Sequence, residues 1–167
     1  MKDELKYILG IINDLQRFAE AKHAGLLVLN SAIIIGVLSS FSSIHIYEKY
    51  SVIISLSLLG ISIFGSLIAQ FPVTSNIHNT SQSINNPNIY YFEHLSKISI
   101  NEFINEFKTS YPSFIADNSD RNIINQILVN AKITSTKFFV FKYCVYISTL
   151  GIGFLGFSTL IKVLWHL

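Results

Sequence analysis

Ala19-Glu20-Ala21-Lys22-His23-Ala24-Gly25-Leu26-Leu27-Val28-Leu29-Asn30-Ser31-Ala32 decides the fold, because here a charged, water-compatible helix runs without a breaker into an uncharged apolar one. After Lys22 no Asp, Glu, Lys or Arg occurs until Glu48. At about 1.5 Å of rise per residue, Ala24 to Phe41 alone covers nearly all of a hydrocarbon core about 30 Å thick. The stretch is therefore expected to enter a bilayer. Asn30 lies about 12 Å beyond Lys22 on the same rise. At that depth its amide needs either another helix or an aqueous path.

Upstream, Leu5, Ile8, Leu9, Ile12, Leu15 and Ala19 recur at spacings of three and four, the pattern of an amphipathic helix from Leu5 to Lys22. No Pro or turn cluster separates Arg17 from Leu38, so this helix and the first span are expected to form one rod that ends near Ser42-Ser43. The start, Met-Lys-Asp-Glu-Leu-Lys-Tyr, has acids where a cleavable signal peptide has a basic region, so the first span is expected to stay in the mature protein.

Downstream, a connector from Ile44 to Tyr50 leads into Ser51 to Phe71, 21 residues without a formal charge, closed by Pro72. The alternation Ile54-Ser55-Leu56-Ser57-Leu58 imitates a strand, but an open sheet edge cannot face lipid, so a helix is expected. Val73 to Asn88 is uncharged and rich in Asn, Ser and Thr, the composition of a loop. Ser99 and Glu102 form a capping box that should start a helix from Ile100 to about Thr109, ended by Tyr111-Pro112. Asp117, Asn118 or Ser119 can cap a further helix, beginning near Asp120, with Ile123, Ile124, Ile127, Leu128 and Ala131 on one side. No breaker interrupts it before Tyr143 to Ile161, a third charge-free run of 19 residues framed by Lys142 and Lys162. Phe138, Phe139, Phe141, Tyr143 and Tyr146 before and within that run, and Trp165 after it, suit aromatic belts. Four helices and three spans result.

Composition agrees: 50% hydrophobic residues, 13% charged residues and a mean hydropathy of +0.46 depart from the soluble norm. A net charge of +2 does not describe a nucleic-acid-coating surface. Cys144, the only cysteine, excludes an intrachain disulfide and a cysteine-rich metal site, and reads as a packing residue. Ten of the twelve basic residues lie in the N-terminal segment or between Lys97 and Lys142, leaving Lys49 in the connector and Lys162 in the tail. The positive-inside tendency then puts the N-terminus and the 72–142 insert in the cytoplasm and the C-terminus outside.

No catalytic constellation occurs: there is no Gly-rich phosphate loop and no Gly-x-Ser-x-Gly turn, and His23, His45, His78, His94 and His166 are too scattered to pair as metal ligands. The adjacent Glu93 and His94 read as a surface pair rather than an acid and base. No enzyme activity, metal or cofactor is expected. Chemistry is instead carried by polarity within the bilayer. Gln16, Glu20, His23, Leu27, Asn30 and Ile34 share one helix face. Along it Asn30 is either a pore-facing amide in a ring of subunits or an interhelical hydrogen-bond donor within the chain. Glu20, Lys22 and His23 are either a charged vestibule or interfacial anchors. Ala21, Gly25, Ala32, Gly36, Ser39 and Ser43 form a second, small-residue stripe, matched by Ser51, Ser55, Ser62 and Ser66 in the second span and Gly153 and Gly156 in the third. Such faces permit close helix contact in lipid, and several of them point to packing between chains. In the insert, Tyr90, Tyr91, Phe92 and Tyr111 offer π faces beside His94, and Lys97, Arg121 and Lys132 offer phosphate contacts. Together they suit a nucleotide or single-stranded nucleic acid, although aromatics beside a helix start also serve as core.

Three motifs carry a family likeness. Glu20-Ala-Lys22-His-Ala-Gly25-Leu-Leu-Val-Leu-Asn30 resembles the start of the first span in transmembrane effectors of the Pycsar type. Asn88-Ile-Tyr-Tyr-Phe92-Glu-His-Leu-Ser-Lys-Ile-Ser99-Ile-Asn-Glu102-Phe resembles their second signature, and Gln126-x-x-x-Asn130-x-x-Ile133-x-x-x-Lys137 their third. The resemblance implies a bacterial antiphage effector in the inner membrane, triggered by a nucleotide signal from a partner cyclase or nucleotidyltransferase, that compromises the membrane and arrests growth. In Pycsar systems the signal is a cyclic pyrimidine mononucleotide. The similar Hailong-type channel effectors use an oligonucleotide.

The expectation is an all-α integral membrane protein with three transmembrane helices, long cytoplasmic helical extensions and a small cytoplasmic insert, assembled as a homo-oligomer such as a tetramer. Residues 1–23 form a cytoplasmic amphipathic helix continuous with the first span, 24–71 a transmembrane hairpin, 72–142 a signal-sensing insert and 143–167 the third transmembrane helix. Glu20, His23, Leu27, Asn30 and Ile34 line the ion path of a channel. The rival reading is a non-conducting anchor that recruits a protein partner through residues 72–142.

Overall fold

Uninterrupted helical periodicity gives uninterrupted helices. The computed structural model describes residues 2–40, 46–71 and 88–165, and in chain order its elements are α1 (Lys2–Ser39), α2 (Ile46–Ile68), α3 (Phe92–Leu95), α4 (Ile100–Ser110) and α5 (Asn118–Trp165). No strand occurs among the described residues, and the alternating Ile and Ser of residues 53–63 lie within α2. The 38 residues of α1 and the 48 of α5 measure about 57 Å and about 72 Å at helical rise, well beyond the hydrocarbon core. Among the described residues three helices are long and apolar enough to cross a membrane, α1, α2 and α5. The expected end of the first span at Ser42-Ser43, the stop at Pro72 and nearly all of the 73–88 loop lie outside the described residues.

Side-chain chemistry sets the helix starts. Ser99 caps α4 by the reciprocal box: its hydroxyl accepts from the Glu102 N–H at 3.3 Å, and the Glu102 carboxylate accepts from the Ser99 N–H at 2.6 Å. At α5 the cap is Asp117. Its carboxylate accepts from the Asp120 N–H at 2.7 Å while Asp120 accepts from the Asp117 N–H at 3.2 Å, and this backbone donor holds the Asp117 carboxyl below its ordinary pKa. Helix α3 is an addition to the four expected; at four residues it is too short to show a period.

The chain divides into two units, Met1–Ala19 with Pro72–Phe138, and Glu20–Phe71 with Phe139–Leu167. The first has an ordinary apolar core in which Leu5, Ile8 and Ile12 of α1 meet Leu95, Phe103, Ile104, Phe107 and Phe114, with Ile124, Ile127 and Ala131 of α5. Phe107 is its centre, with ring centroids 5.8 Å from Phe103, 4.7 Å from Tyr111 and 4.8 Å from Phe114.

In the second unit the polarity is reversed. Asn30, Ser55, Ser62, Ser66 and Ser148 are buried, while Val28, Ile35, Phe64, Phe157 and Leu160 stand more than half exposed. That surface would be untenable in water and is the natural one against lipid. Along α2 the serines donate to carbonyls of α5: Ser51 to Phe154 at 2.9 Å, Ser55 to Gly151 at 2.6 Å and Ser62 to Cys144 at 2.9 Å. As the serine number rises the acceptor number falls, so the two helices run antiparallel. Two glycines permit the approach: a Cβ on Gly151 would lie 3.3 Å from Ser55 O and Leu58 Cβ, and one on Gly65 would lie 2.9 Å from Cys144 Sγ. Gly25, Gly36, Gly153 and Gly156, from the stripes expected to pack between chains, have nothing within 4 Å of a built Cβ inside the single chain. They lie on open faces of the chain.

Candidate functional site

In the second unit the centre of polarity is Asn30, and helix α1 brings it there because the spacing Glu20, His23, Leu27, Asn30, Ile34 follows one face. His23 and Asn30 are fully buried, and Glu20, Leu27 and Ile34 are partly buried, so the face is directed into the unit's own interior. Asn30 Nδ2 donates to Ser62 Oγ of α2 at 3.0 Å and to Ser148 Oγ of α5 at 2.8 Å. Ser148 Oγ donates in turn to Ser62 Oγ at 2.7 Å. One amide thus joins all three spans. Nearer the charged end, the His23 ring meets Phe141 edge-on with centroids 5.4 Å apart, and Lys22 Nζ lies 5.5 Å from the same Phe141 centroid. Phe139, Tyr143 and Tyr146 are exposed and in ring contact along α5, with Lys142 Nζ 5.8 Å from the Tyr146 centroid, as an interfacial belt requires.

In the first unit the segment before α4 gathers five of the residues expected to bind a ligand. Tyr90 and Tyr91 keep exposed rings. Phe92 is half-buried, 5.3 Å from Tyr91 and 5.2 Å from Phe138 between centroids. The Tyr90 hydroxyl donates to Glu4 at 2.8 Å and the Tyr91 hydroxyl to Glu93 at 2.9 Å. These carboxylates raise the pKa of both phenols, Tyr111 adding to the rise at Tyr90, so both stay protonated well above neutrality. Lys97 Nζ lies 3.1 Å from Glu93, whose pKa is lowered by the Tyr91 hydroxyl and then by Lys97. The adjacent Glu93 and His94 are not a surface pair: His94 is buried, with Nε2 2.7 Å from Glu106 Oε2. Tyr111 joins the group through Tyr90 and through its stack on Phe107.

Arg121 and Lys132 lie on α5, eleven positions apart, which is about 16 Å of helix on one face. That length suits several phosphates of an extended ligand better than a single one. Beside the tyrosines, Lys97 is paired with Glu93 and Glu4 lies against Tyr90, so a phosphate reaching Lys97 there competes with carboxylates.

Several partners have no signal in sequence spacing: Glu4 of Tyr90, Glu106 of His94, and Asn13, whose Oδ1 accepts from Asn130 Nδ2 at 2.8 Å. Asn130 itself stands in the third motif. Among the described residues no group of three or more His, Cys, Asp or Glu side chains is placed to hold a metal ion.

No curated protein and no solved structure matches the chain. The Pycsar effector protein domain matches residues 4–164, nearly the whole length. The chain therefore belongs to the Pycsar effector family, membrane effectors that serve antiphage defence within a nucleotide-signal cyclase pathway.

Proposed function

We propose that the protein is an oligomeric ion channel of the bacterial inner membrane, opened or closed by a nucleotide-derived signal on its cytoplasmic part, and that it acts by depolarising the membrane rather than by catalysis. The observation that carries this reading is the buried Asn30, hydrogen-bonded to Ser62 and Ser148 at the centre of a unit whose outside is apolar. Polar groups inside a membrane are costly and are functional candidates, and in the single chain Asn30 makes the interhelical bonds that are the other expectation for it. In the described state Glu20, His23, Leu27, Asn30 and Ile34 turn toward their own chain, which we read as the resting state. Conduction replaces those contacts with water.

The signal is a cyclic nucleotide or a short oligonucleotide, stacked on Tyr90 and Tyr91, with Arg121 or Lys132 taking the single phosphate of the former and both taking phosphates of the latter. Phe92, His94, Lys97 and Tyr111 support the tyrosines. To gate, the ligand must bind one state better than the other, since equal affinity shifts no equilibrium. Helices α1 and α5 each contribute residues to both units, which gives the signal a covalent route. The N-terminus and residues 72–142 are taken as cytoplasmic and the C-terminus as periplasmic.

A flux assay on the purified chain in liposomes tests the reading, with a cyclic pyrimidine mononucleotide or short oligonucleotides added. Ion flux that changes with one of these ligands is expected, as is an altered single-channel current in Asn30→Leu. Absence of flux with and without every ligand would overturn it in favour of an anchor that recruits a protein through residues 72–142.

A further inference from the structure

Every hydrogen that the side chains of Asn30, Ser62 and Ser148 can donate has a destination. The Ser62 hydroxyl gives its proton to Cys144 O, the Ser148 hydroxyl gives its proton to Ser62 Oγ, and the Asn30 amide hydrogens go to Ser62 and Ser148. With the amide in this orientation neither hydroxyl retains a proton for Asn30 Oδ1. Asn30 Oδ1 is buried and finds no partner among the described residues. Ser66 Oγ, one turn beyond Ser62 on the same face of α2, is in the same condition.

An unpaired amide oxygen in apolar surroundings is costly, and only a donor or a cation can relieve it. The cluster of Asn30, Ser62, Ser66 and Ser148 contains no carboxylate, so a cation there would be buried without a counter-charge, at a far higher cost than a neutral donor. A water molecule has the right chemistry: it donates twice, accepts, and is stable in a protein interior with two to four polar partners.

We propose that one trapped water sits at the centre of the three-span unit, donating to Asn30 Oδ1 and held by Ser66 Oγ and the remaining lone pair of Ser148. Two hydrogen bonds of about 2.8 Å reach about 5.6 Å, close to the rise of about 6 Å between residues four apart on a helix. Asn30 then has one partner that is not part of the chain. The spans can separate there by admitting further water rather than by exposing a bare amide. The inference does not rest on conduction.

Water-edited solid-state NMR on the isotope-labelled full chain in phosphatidylethanolamine–phosphatidylglycerol bilayers is the test. Magnetisation from water should reach the Asn30 Cγ several-fold more strongly than Leu27 and Ile34, one turn to either side on the same face. Equal, strong transfer to all three would mean a continuous aqueous path, overturning the single water while favouring the channel. Transfer to Asn30 no stronger than weak transfer to its neighbours would mean a dry amide, overturning the water and leaving the channel reading where it stood.

Discussion

The two units are built on opposite principles. Met1–Ala19 with Pro72–Phe138 hides its apolar groups, with Leu5, Phe103, Phe107 and Ile124 fully buried; Glu20–Phe71 with Phe139–Leu167 hides serine and asparagine and exposes isoleucine, leucine and phenylalanine. One unit is held by the removal of apolar area from water. That force is absent between helices in lipid, where van der Waals packing and interhelical hydrogen bonds remain. The difference predicts which substitutions each unit can tolerate.

The largest expected effect is Phe107→Ala in the first unit. Removing a fully buried ring stacked between Phe103, Tyr111 and Phe114 should cost about 3–5 kcal/mol, read as a lower unfolding midpoint of the detergent-solubilised chain. Val28→Ala, at a position 71% exposed in the second unit, should leave that midpoint unchanged. Similar losses from both would erase the contrast.

Next is Gly65→Ala, where the new methyl would lie 2.9 Å from Cys144 Sγ. Overpacking of this kind costs about 1–3 kcal/mol, and Cys144→Ala in the same chain should restore most of the loss. Gly25→Ala and Gly153→Ala, with nothing within 4 Å, should not destabilise the single chain. If they disrupt assembly on a sizing column, another chain covers those faces.

Much of this division is legible in the residue order. Charge-free runs after Lys22, after Lys49 and after Lys142 gave three membrane-competent helices, and the Ser99–Glu102 spacing gave the start of α4, because these signals are local. Which polar residues meet is not local. Asn30 and Ser148 are 118 residues apart, and Glu4 and Tyr90 are 86 apart. The small-residue stripes missed Gly65 and Gly151, the glycines at the close approaches within the chain, because a glycine marks such an approach only when the partner helix and its rotation are known. Adjacency already puts Glu93 and His94 on different sides of a helix or strand, but only the contact with Glu106, twelve residues on, makes the side of His94 the buried one.

A smaller effect tests the node of the second unit. Asn30→Leu removes two bonds from Asn30 but leaves Ser148 bonded to Ser62 and Ser62 bonded to Cys144 O. Interhelical hydrogen bonds in membranes average about 0.6 kcal/mol, so the loss should be about 1 kcal/mol in a steric-trap or unfolding assay, far below that of Phe107→Ala.

The smallest effect separates the units by pH. The raised pKa values of Tyr90 and Tyr91 mean that the folded first unit favours the neutral phenols. Their contribution is fully present below the ordinary value of 10.0 and is lost as pH rises through the higher folded values. The lowered pKa of Glu93 works in the other direction: its contribution is present above the ordinary 4.5 and is lost as pH falls through the lower folded value. All three side chains are partly exposed, so both limbs should be shallow. Serine and asparagine do not titrate, and the Asn30 cluster should hold across the same range. Tyr90→Phe removes the proton that Glu4 accepts and should flatten the alkaline limb of a stability profile. An alkaline limb of unchanged depth in that variant would mean that the Tyr90–Glu4 bond contributes nothing to holding α1 in the first unit.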